Sequence, residues 1–358
     1  MVDKIGVAIV GCGNIAGPYA KDIMTYPELD LRGVSDLDMA KAQAFAAEHG
    51  TQVYDSLEAL LADPTVAIVV NLTIHHAHKD VITQCIHAGK HVFSEKPLAL
   101  NYADAKGLVA LADEKGVRLG CAPTTLLGEA QQTAWQHIRA GKLGTVRVCY
   151  AEVNWGRIES WHPNPVPFYD IGVLPDVGVY PLTILTSMFG PVRRVTAYSQ
   201  LLYPDRVTKE GVPFSITTPD MVIALLEHES GVLTRMTCDF YISSQNTRQN
   251  GIEFHGDAGS LLMESWLAFN SKLFTSNFGE EMAELPLLRP QEEYIRWGRG
   301  LHDMALAIRD GRPHRMRGEI AAHICEILEA TKRAAATQTP VQVESSFAPP
   351  APMGFASA

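Results

Sequence analysis

The chain has 358 residues, of which 46% are hydrophobic and 20% charged, a composition typical of a folded globular protein rather than a disordered or fibrous one. Its formal net charge of −10 disfavours binding to nucleic acid or to an anionic membrane surface, so neither is expected as a partner. At roughly 150 residues per domain, the length predicts two domains.

The chain also shows no sign of export or of a membrane span. The N-terminal residues pass directly into an apolar strand, without the basic region, long apolar stretch or cleavage site of a secretory signal. No apolar run approaches the roughly 18 residues that cross a bilayer. The six cysteines are scattered and form no Cys-x-x-Cys pair, which argues against a zinc ribbon and a disulfide framework. We therefore expect a cytoplasmic protein that contacts no membrane.

The first third of the sequence alternates between strand and helix patterns. Strands are predicted at Ile5–Val10, Leu29–Ser35, Ala67–Leu72, His91–Ser94 and Val117–Cys121. Helices are predicted before Tyr26 and at Met39–His49, Ser56–Leu61, His78–His87 and Tyr102–Glu114. This alternation requires crossover connections and a parallel sheet, so the predicted fold is an α/β, doubly wound Rossmann domain.

From Val146 onward the pattern changes to strands that follow one another without helices. Strands are predicted at Val146–Trp155, Val192–Leu202, Met221–Glu227, Val232–Phe240, Gly251–His255 and Ser260–Glu264. Helices are predicted at Leu126–Ala140, Val177–Met188, Gln291–Arg309 and Glu319–Ala336. The pattern indicates an α+β domain with an open, mostly antiparallel sheet. With the boundary near Ala122–Pro123, the predicted domains are residues 1–122 and 123–358.

The first motif with chemical meaning is Gly11-Cys-Gly13-Asn-Ile-Ala16, which follows the first strand and opens a helix. Gly11 permits a tight turn, Gly13 lets the backbone approach a pyrophosphate, and Ala16 keeps the helix close to the strand. Asp36 ends the second strand at the offset expected of a carboxylate that binds the ribose hydroxyls. The motif predicts a dinucleotide cofactor, and Asp36 favours NAD over NADP because it would repel a 2′-phosphate.

The second motif is Glu95-Lys96-Pro97, directly after the strand His91–Ser94. Ligands of doubly wound sheets bind outside the carboxyl ends of the strands, so this tripeptide is expected beside the cofactor. A lysine there could hold or donate a proton near a carbonyl group. On spacing alone, an ordinary solvated lysine is the more common interpretation.

These motifs resemble those of the glucose–fructose oxidoreductase, inositol dehydrogenase and rhizopine catabolism (Gfo/Idh/MocA) family. The resemblance rests on Gly11–Ala16, on the segment from Ala88 to Pro97, and on Asp176-Val-Gly-Val-Tyr180. It implies an NAD(P)-dependent oxidoreductase for sugars, cyclitols or related polyols, with a substrate-binding C-terminal domain whose sheet joins subunits into a dimer or tetramer. It also implies that Lys96, Asp176 and Tyr180 are the catalytic residues.

The loop Thr73-Ile-His-His-Ala-His78 departs from the family pattern because it lacks the proline common after the threonine. His78 still matches the position of a family histidine. No carboxylate or cysteine is spaced to complete a metal site with these histidines, so no metal is expected. The candidate cofactor residues are Gly11, Gly13, Asn14, Ile15, Ala16, Asp36, Thr73, His78, Glu95 and Lys96.

A segment from Trp155 to Asp170 mixes aromatic, amide, imidazole and guanidinium groups among prolines. Such a loop suits stacking on a sugar ring and hydrogen bonding to its hydroxyls, although a proline-braced connection that only fills space would show the same composition. The candidate substrate residues are Lys96, Trp155, Arg157, Trp161, His162, Asn164, Tyr169, Asp176 and Tyr180.

Together these features predict hydride transfer between nicotinamide and a secondary alcohol, or its ketone, of a carbohydrate-like small molecule. Tyr180 and Lys96 both remain candidates for the immediate proton acceptor. Two alternatives stay open: a redox-neutral conversion through a transient ketone with tightly held NAD, and a non-catalytic protein that senses the dinucleotide.

Overall fold

A computed structural model describes residues 4–243, 245 and 249–357. Its contacts divide the chain into two compact units. The first contains the residues up to Thr124 together with Arg296–Cys325, and the second contains Thr125–Ile295 and Glu326 to the C-terminus. Neither unit is one continuous segment, because residues 296–325 belong to the same unit as the N-terminal residues. A division into 1–122 and 123–358 assigns residues 296–325 to the second domain instead.

The sheet of the first unit is the predicted doubly wound one. Its strands are β1 (Ile5–Val10), β2 (Leu29–Ser35), β3 (Gln52–Val53), β4 (Ile68–Asn71), β5 (His91–Ser94) and β6 (Leu119–Cys121). They run in the order β3-β2-β1-β4-β5-β6, and every neighbouring pair is parallel. The order reverses at β1, which places the end of this strand at the point where such sheets bind ligands.

The α-helices of the described residues are α1 (Ala16–Thr25), α2 (Met39–His49), α3 (Leu57–Ala62), α4 (His78–His87), α5 (Tyr102–Lys115), α6 (Glu129–Arg139), α7 (Val166–Ile171), α8 (Val179–Phe189), α9 (Arg299–Arg309) and α10 (Gly318–Thr337). Local signals explain several boundaries. Asp38, Ser56 and Asn101 cap the N-termini of α2, α3 and α5 with their side-chain oxygens. No helix of the described residues is long and apolar enough to cross a membrane.

The second unit contains a mixed sheet of nine strands, and its mostly antiparallel character confirms the prediction from the sequence. The strands of this unit are β7 (Val146–Asn154), β8 (Val192–Gln200), β9 (Asp205–Val207), β10 (Pro213–Ser215), β11 (Met221–His228), β12 (Leu233–Asp239), β13 (Ile252–Gly256), β14 (Gly259–Met263), β15 (Leu273–Asn277), β16 (Ala283–Glu284) and β17 (Val341–Gln342). All but the β9–β10 hairpin form the large sheet, in the order β16-β15-β14-β13-β7-β12-β11-β8-β17. Its one parallel pair is β12 with β7.

The predicted helix Gln291–Arg309 is wrong over its first eight residues, because α9 begins at Arg299. The polar groups of the preceding segment take part in tertiary contacts instead. The Gln291 amide donates to Glu129, the backbone carbonyl of Glu292 accepts from Asn270, and that of Tyr294 accepts from the Phe269 N–H. These bonds hold the segment against its own unit in an irregular, non-helical conformation.

Candidate functional site

The dinucleotide motif forms a turn in which each glycine has a separate role. Gly11 has φ of +95°, and a Cβ there would come within 2.7 Å of the Leu72 carbonyl oxygen, so only glycine fits. Gly13 is exposed, and a Cβ there would meet no atom within 4 Å. The turn is therefore closed on the protein side at Gly11 and open at Gly13, which leaves space for a ligand against the backbone.

Helix α1 starts at the end of this turn. Its first turn has no acidic residue, and no side chain of the described residues caps it. The N–H groups of a first helical turn have no partner within the helix, and they attract phosphate. The open turn and the uncapped helix together fit the pyrophosphate of a dinucleotide.

Asp36 is held beside the turn by two backbone donors. Its Oδ2 accepts a hydrogen bond of 2.7 Å from the Cys12 N–H, and its Oδ1 accepts one of 2.8 Å from the Asp38 N–H. Each carboxylate oxygen retains a second lone pair, which fits a ribose hydroxyl. Burial, with a smaller contribution from Asp36, raises the pKa of the Cys12 thiol to about 11, so Cys12 remains a neutral thiol.

The turn after β5 carries Glu95 and Lys96 and is fixed from several sides. The buried hydroxyl of Tyr19, in α1, donates 2.8 Å to Glu95 Oε1, while Glu95 Oε2 accepts from the Lys96 N–H at 3.2 Å. The Glu95 N–H donates to the Asn71 carbonyl oxygen at 2.9 Å. The Lys96–Pro97 peptide bond is cis. The backbone that carries the Lys96 side chain is therefore tied both to β4 and to the helix of the dinucleotide turn.

His78 lies between the two loops that follow β4 and β5. Its Nδ1 is 2.7 Å from the Pro97 carbonyl oxygen, and its Nε2 is 3.0 Å from that of Thr73. Burial lowers the pKa of this imidazole, although both carbonyls oppose the shift. The ring thus contacts backbone on both sides, and a direct contact with a cofactor stays a prediction. No group of three or more potential metal ligands occurs among the described residues.

Asn71 is a residue of this site that the sequence reasoning missed. It is fully buried at the end of β4, where its Nδ2 donates to Ser94 Oγ at 3.1 Å and its Oδ1 accepts from Thr73 Oγ1 at 2.7 Å. An amide that ends the apolar run Ala-Ile-Val-Val is a signal that could have identified it. Asn71 links β4, β5 and the loop at Thr73, and so orders the edge where the predicted cofactor residues lie.

In the second unit, Asp176 and Tyr180 lie at a junction between two kinds of helix. Asp176 belongs to a single π-helical turn, Leu174–Gly178, and Tyr180 belongs to the first turn of α8. The two residues therefore do not lie four positions apart on one regular α-helix, because a π-turn changes the angular spacing between side chains. π-Turns inside helices are frequent at functional sites.

Trp266 brings two of the predicted residues together. Its fully buried ring lies 5.2 Å from that of Tyr180 and 5.8 Å from that of Trp155, measured between centroids. The Trp266 Nε1 donates to the Glu152 carbonyl oxygen at 3.0 Å, which fixes the ring on β7. Tyr180 and the start of the aromatic segment therefore share one aromatic layer.

The segment from Trp155 to Asp170 separates into a buried and an exposed part. Tyr169 is buried, and its hydroxyl contacts Glu159 and the guanidinium of Arg206. Burial, followed by the bond to Glu159, raises the pKa of the Tyr169 phenol well above its usual value. The structure thus places Tyr169 in an internal network, and its contact with substrate remains a prediction.

Two other predicted substrate residues, Trp161 and His162, form a partly exposed aromatic group with Phe168. The rings of Trp161, His162 and Phe168 lie edge to face, with centroid distances of 4.8–5.9 Å. Asn164 closes the loop around His162, because its N–H donates 3.1 Å to His162 Nδ1. This group offers ring faces and edges to a ligand.

Two family models match the chain. The model described as the oxidoreductase family with an NAD-binding Rossmann fold matches residues 5–122, and the GFO/IDH/MocA C-terminal domain matches residues 131–262. The trans-1,2-dihydrobenzene-1,2-diol dehydrogenase of Oryctolagus cuniculus is 28% identical over 308 residues, which are 84% of this chain and 88% of that protein.

Solved structures show the same fold. A levoglucosan dehydrogenase in complex with NADH and L-sorbose has a TM-score of 0.84 at 16% identity, over 96% of this chain and 100% of that one. The aldose-aldose oxidoreductase of Caulobacter crescentus has a TM-score of 0.80 at 21% identity, over 95% and 99%. The two family models match one segment in each predicted domain and together more than half of the chain, and the chain therefore belongs to the Gfo/Idh/MocA family of NAD-binding oxidoreductases.

Proposed function

We propose that the protein is an NAD-dependent dehydrogenase or reductase for a secondary alcohol, or its ketone, of a sugar, cyclitol or glycoside-like molecule. The observation that carries the proposal is the dinucleotide turn, where Gly11 is sterically required and Gly13 is open above an uncapped α1. The relatives named as diol and levoglucosan dehydrogenases support oxidation of a carbinol.

The preference for NAD over NADP rests on Asp36. Its carboxylate is fixed by the Cys12 and Asp38 N–H groups, so it would present negative charge at the ribose hydroxyls. A 2′-phosphate there would meet like charge, and position 37, a leucine, offers no guanidinium to receive it.

The proposed chemistry divides between cofactor and protein. A bound nicotinamide supplies the hydride acceptor for oxidation and the hydride donor for reduction. The protein orients the carbinol and moves its hydroxyl proton, for which Lys96 and Tyr180 are the proposed acceptors, and Asp176 is the third proposed catalytic residue. The grouping of these three residues rests on the order of the family motifs in this sequence.

The aromatic segment is the proposed recognition element for the substrate. Trp155 lies in the same aromatic layer as Tyr180, and farther along the segment the ring of Trp161 is exposed and that of His162 is half-buried. Aromatic faces next to polar groups suit a sugar ring, whose C–H faces stack while its hydroxyls form hydrogen bonds.

One experiment separates this function from its alternatives. Purified protein is incubated with NAD⁺ and a panel of sugars and polyols, and both the reduced cofactor and the sugar products are measured. NADH formation supports the dehydrogenase. Sugar products without net NADH support a redox-neutral conversion, which the likeness to an aldose-aldose oxidoreductase favours as second candidate. Cofactor binding with neither product supports a sensor.

We further propose that the protein is a cytoplasmic homo-oligomer, a dimer or tetramer, joined through the large sheet. All six cysteines are free thiols, as in a reducing compartment. The central strands expose apolar side chains on one face, where Ile223 lies opposite Tyr198 and is followed by Leu225. Light scattering should give a multiple of 39.2 kDa for the wild type and a lower mass for Leu225→Glu.

A further inference from the structure

Arg157 lies in a notch formed by two tyrosine rings of its own unit. Its guanidinium carbon is 4.6 Å from the ring centroid of Tyr203 and 5.0 Å from that of Tyr241. The two rings are themselves 6.2 Å apart and inclined by 57°. Both tyrosines are about 40% exposed, so the notch is open to solvent. Stacking on ring faces leaves the N–H edges of a guanidinium directed outward in its plane.

Arg157 differs from the other arginines nearby in having no anionic partner. Among the described residues, no carboxylate forms an ion pair with its guanidinium, and the hydroxyls of Tyr203 and Tyr241 have no hydrogen-bond partner either. By contrast, the neighbouring Arg206 is fully buried and contacts Glu159 at 2.9 Å and Asp220 at 2.6 Å. Arg206 occupies both of these acids, which leaves the Arg157 guanidinium available to a ligand.

Glu159 helps to fix the position of Arg157 without neutralising it. Glu159, two residues along, is anchored by Arg206 and Tyr169, and the Ile158 N–H donates to the Tyr169 hydroxyl at 3.1 Å. The Arg157 carbonyl oxygen accepts from the N–H of Ser160 at 3.0 Å. A backbone held at this point, and a side chain held between two rings, reduce the entropy lost when the guanidinium binds a partner.

We propose that Arg157, Tyr203 and Tyr241 form a binding site for an oxyanion of the substrate, so that the substrate is a carbohydrate-like molecule bearing a carboxylate or a phosphate. A planar guanidinium donates two parallel hydrogen bonds to either group, and the phenolic hydroxyls add donors at the rim of the notch. A single arginine matches the charge of one carboxylate, which is the expected group. The inference rests on the proposed function in taking the segment from Trp155 onward as the element that meets the substrate.

The test compares neutral and acidic forms of the same sugar. Binding of D-glucose, D-glucuronate and D-glucose 6-phosphate, and of the corresponding D-galactose series, is measured by calorimetry in the presence of NAD⁺, together with NADH formation. The variants are Arg157→Gln, Arg157→Lys and, as a control, Arg147→Gln, which removes an exposed arginine of the same unit. The uronate arm and the phosphate arm distinguish the two oxyanions.

We expect at least one acidic sugar to bind the wild type more tightly than its neutral parent. Arg157→Gln should weaken the binding of the acidic sugar by about tenfold or more, which is the usual scale for a lost charged hydrogen bond. The same substitution should leave the affinity for the neutral sugar unchanged. Arg157→Lys should restore part of the loss because it keeps the charge but not the planar fork. Arg147→Gln should behave as the wild type.

Several results would overturn the inference. Acidic sugars that bind no better than neutral ones exclude the oxyanion site, as does an Arg157→Gln variant that weakens both equally. A changed mass of the oligomer in that variant would show that Arg157 contacts a carboxylate of a second copy of the chain instead. Oxidation of neutral sugars alone would support the proposed dehydrogenase function and contradict the oxyanion site. Arg157-dependent binding of a uronate without NADH formation would support the oxyanion site and contradict the dehydrogenase function.

Discussion

The phenolic hydroxyl of Tyr19 donates a hydrogen bond of 2.8 Å to the carboxylate of Glu95. The two residues are separated by 76 positions in the sequence, and they join the helix of the dinucleotide turn to the turn that carries Lys96. Tyr19 is not one of the residues proposed to move the proton, and we expect it to act by holding Glu95 in place. This contact makes the geometry of the lysine turn depend on the first helix.

Replacing Tyr19 with Phe should lower kcat about tenfold, because Glu95 loses its donor and the lysine turn gains freedom. Tyr54→Phe is the matched control, since it also breaks a tyrosine–carboxylate bond, to Asp63 at 2.6 Å. Both variants should lose about 1–3 kcal/mol of unfolding free energy in urea titrations. Equal kcat values for the two variants would show that the bond between Tyr19 and Glu95 does not affect turnover.

Asp36 should determine the choice of cofactor. Asp36→Ser removes the negative charge at the ribose, so the affinity for NADH should fall and the affinity for NADPH should rise. Fluorescence titration of both cofactors at equal ionic strength measures the change. Asp38→Ser is the control, because Asp38 caps α2 with its side chain and is not assigned to the cofactor. Tighter binding of NADPH than of NADH by the wild type would contradict the proposal.

Lys96 should serve the chemical step more than cofactor binding. Lys96→Ala should reduce kcat by roughly 10²–10⁴, the scale of a lost proton-transfer group, while the dissociation constant of NAD⁺ changes little. Steady-state kinetics and a separate cofactor titration resolve the two effects. Lys142→Ala, at an exposed position, should keep full activity. Unchanged turnover in the Lys96 variant would exclude the residue from the mechanism.

His314 should make stability depend on pH. Burial lowers its pKa from 6.5 to about 4, with Arg118 and Arg317 contributing and Asp303 and the Leu119 carbonyl opposing. As the pH falls, His314 is protonated in the unfolded chain before it is protonated in the folded protein. Its contribution to the free energy of unfolding is therefore fully present above pH 6.5 and is lost as the pH drops towards 4. The loss should reach about 3 kcal/mol.

Urea titrations at a series of pH values measure this slope. His314→Gln removes the titrating group and should flatten it, whereas His87→Gln, at an exposed position, should leave it as in the wild type. An unaltered slope in the His314 variant would show that other groups govern the acid sensitivity.

The sequence predicted the elements whose signals are local. Buried apolar runs identified β1, which Gly11 follows, and β4. Gly50 and Gly116 marked the ends of α2 and α5, where both residues have positive φ. It could not predict the short strands β9, β10 and β16, because two or three residues carry no periodicity. Their pairing depends on neighbours that are distant in the sequence.

The candidate site shows the same division between local and distant signals. Gly11 and Asp36 could be identified from spacing, since both stand at fixed offsets from a strand. The roles of Tyr19 and Asn71 could not, because each depends on a partner brought near only by the folded sheet. The π-turn at Leu174–Gly178 was also missed, since nothing in a helical pattern distinguishes the insertion of one residue.

The most direct test of the central claim is the stoichiometry of the reaction under multiple turnover. Wild-type protein is incubated with excess NAD⁺ and the best polyol of the panel, and NADH and the carbonyl product are quantified in the same sample. An NAD-dependent dehydrogenase predicts one NADH for each ketone formed, with Lys96→Ala forming neither at a comparable rate. Product that accumulates without NADH, or NAD⁺ that binds without any product, would contradict the account.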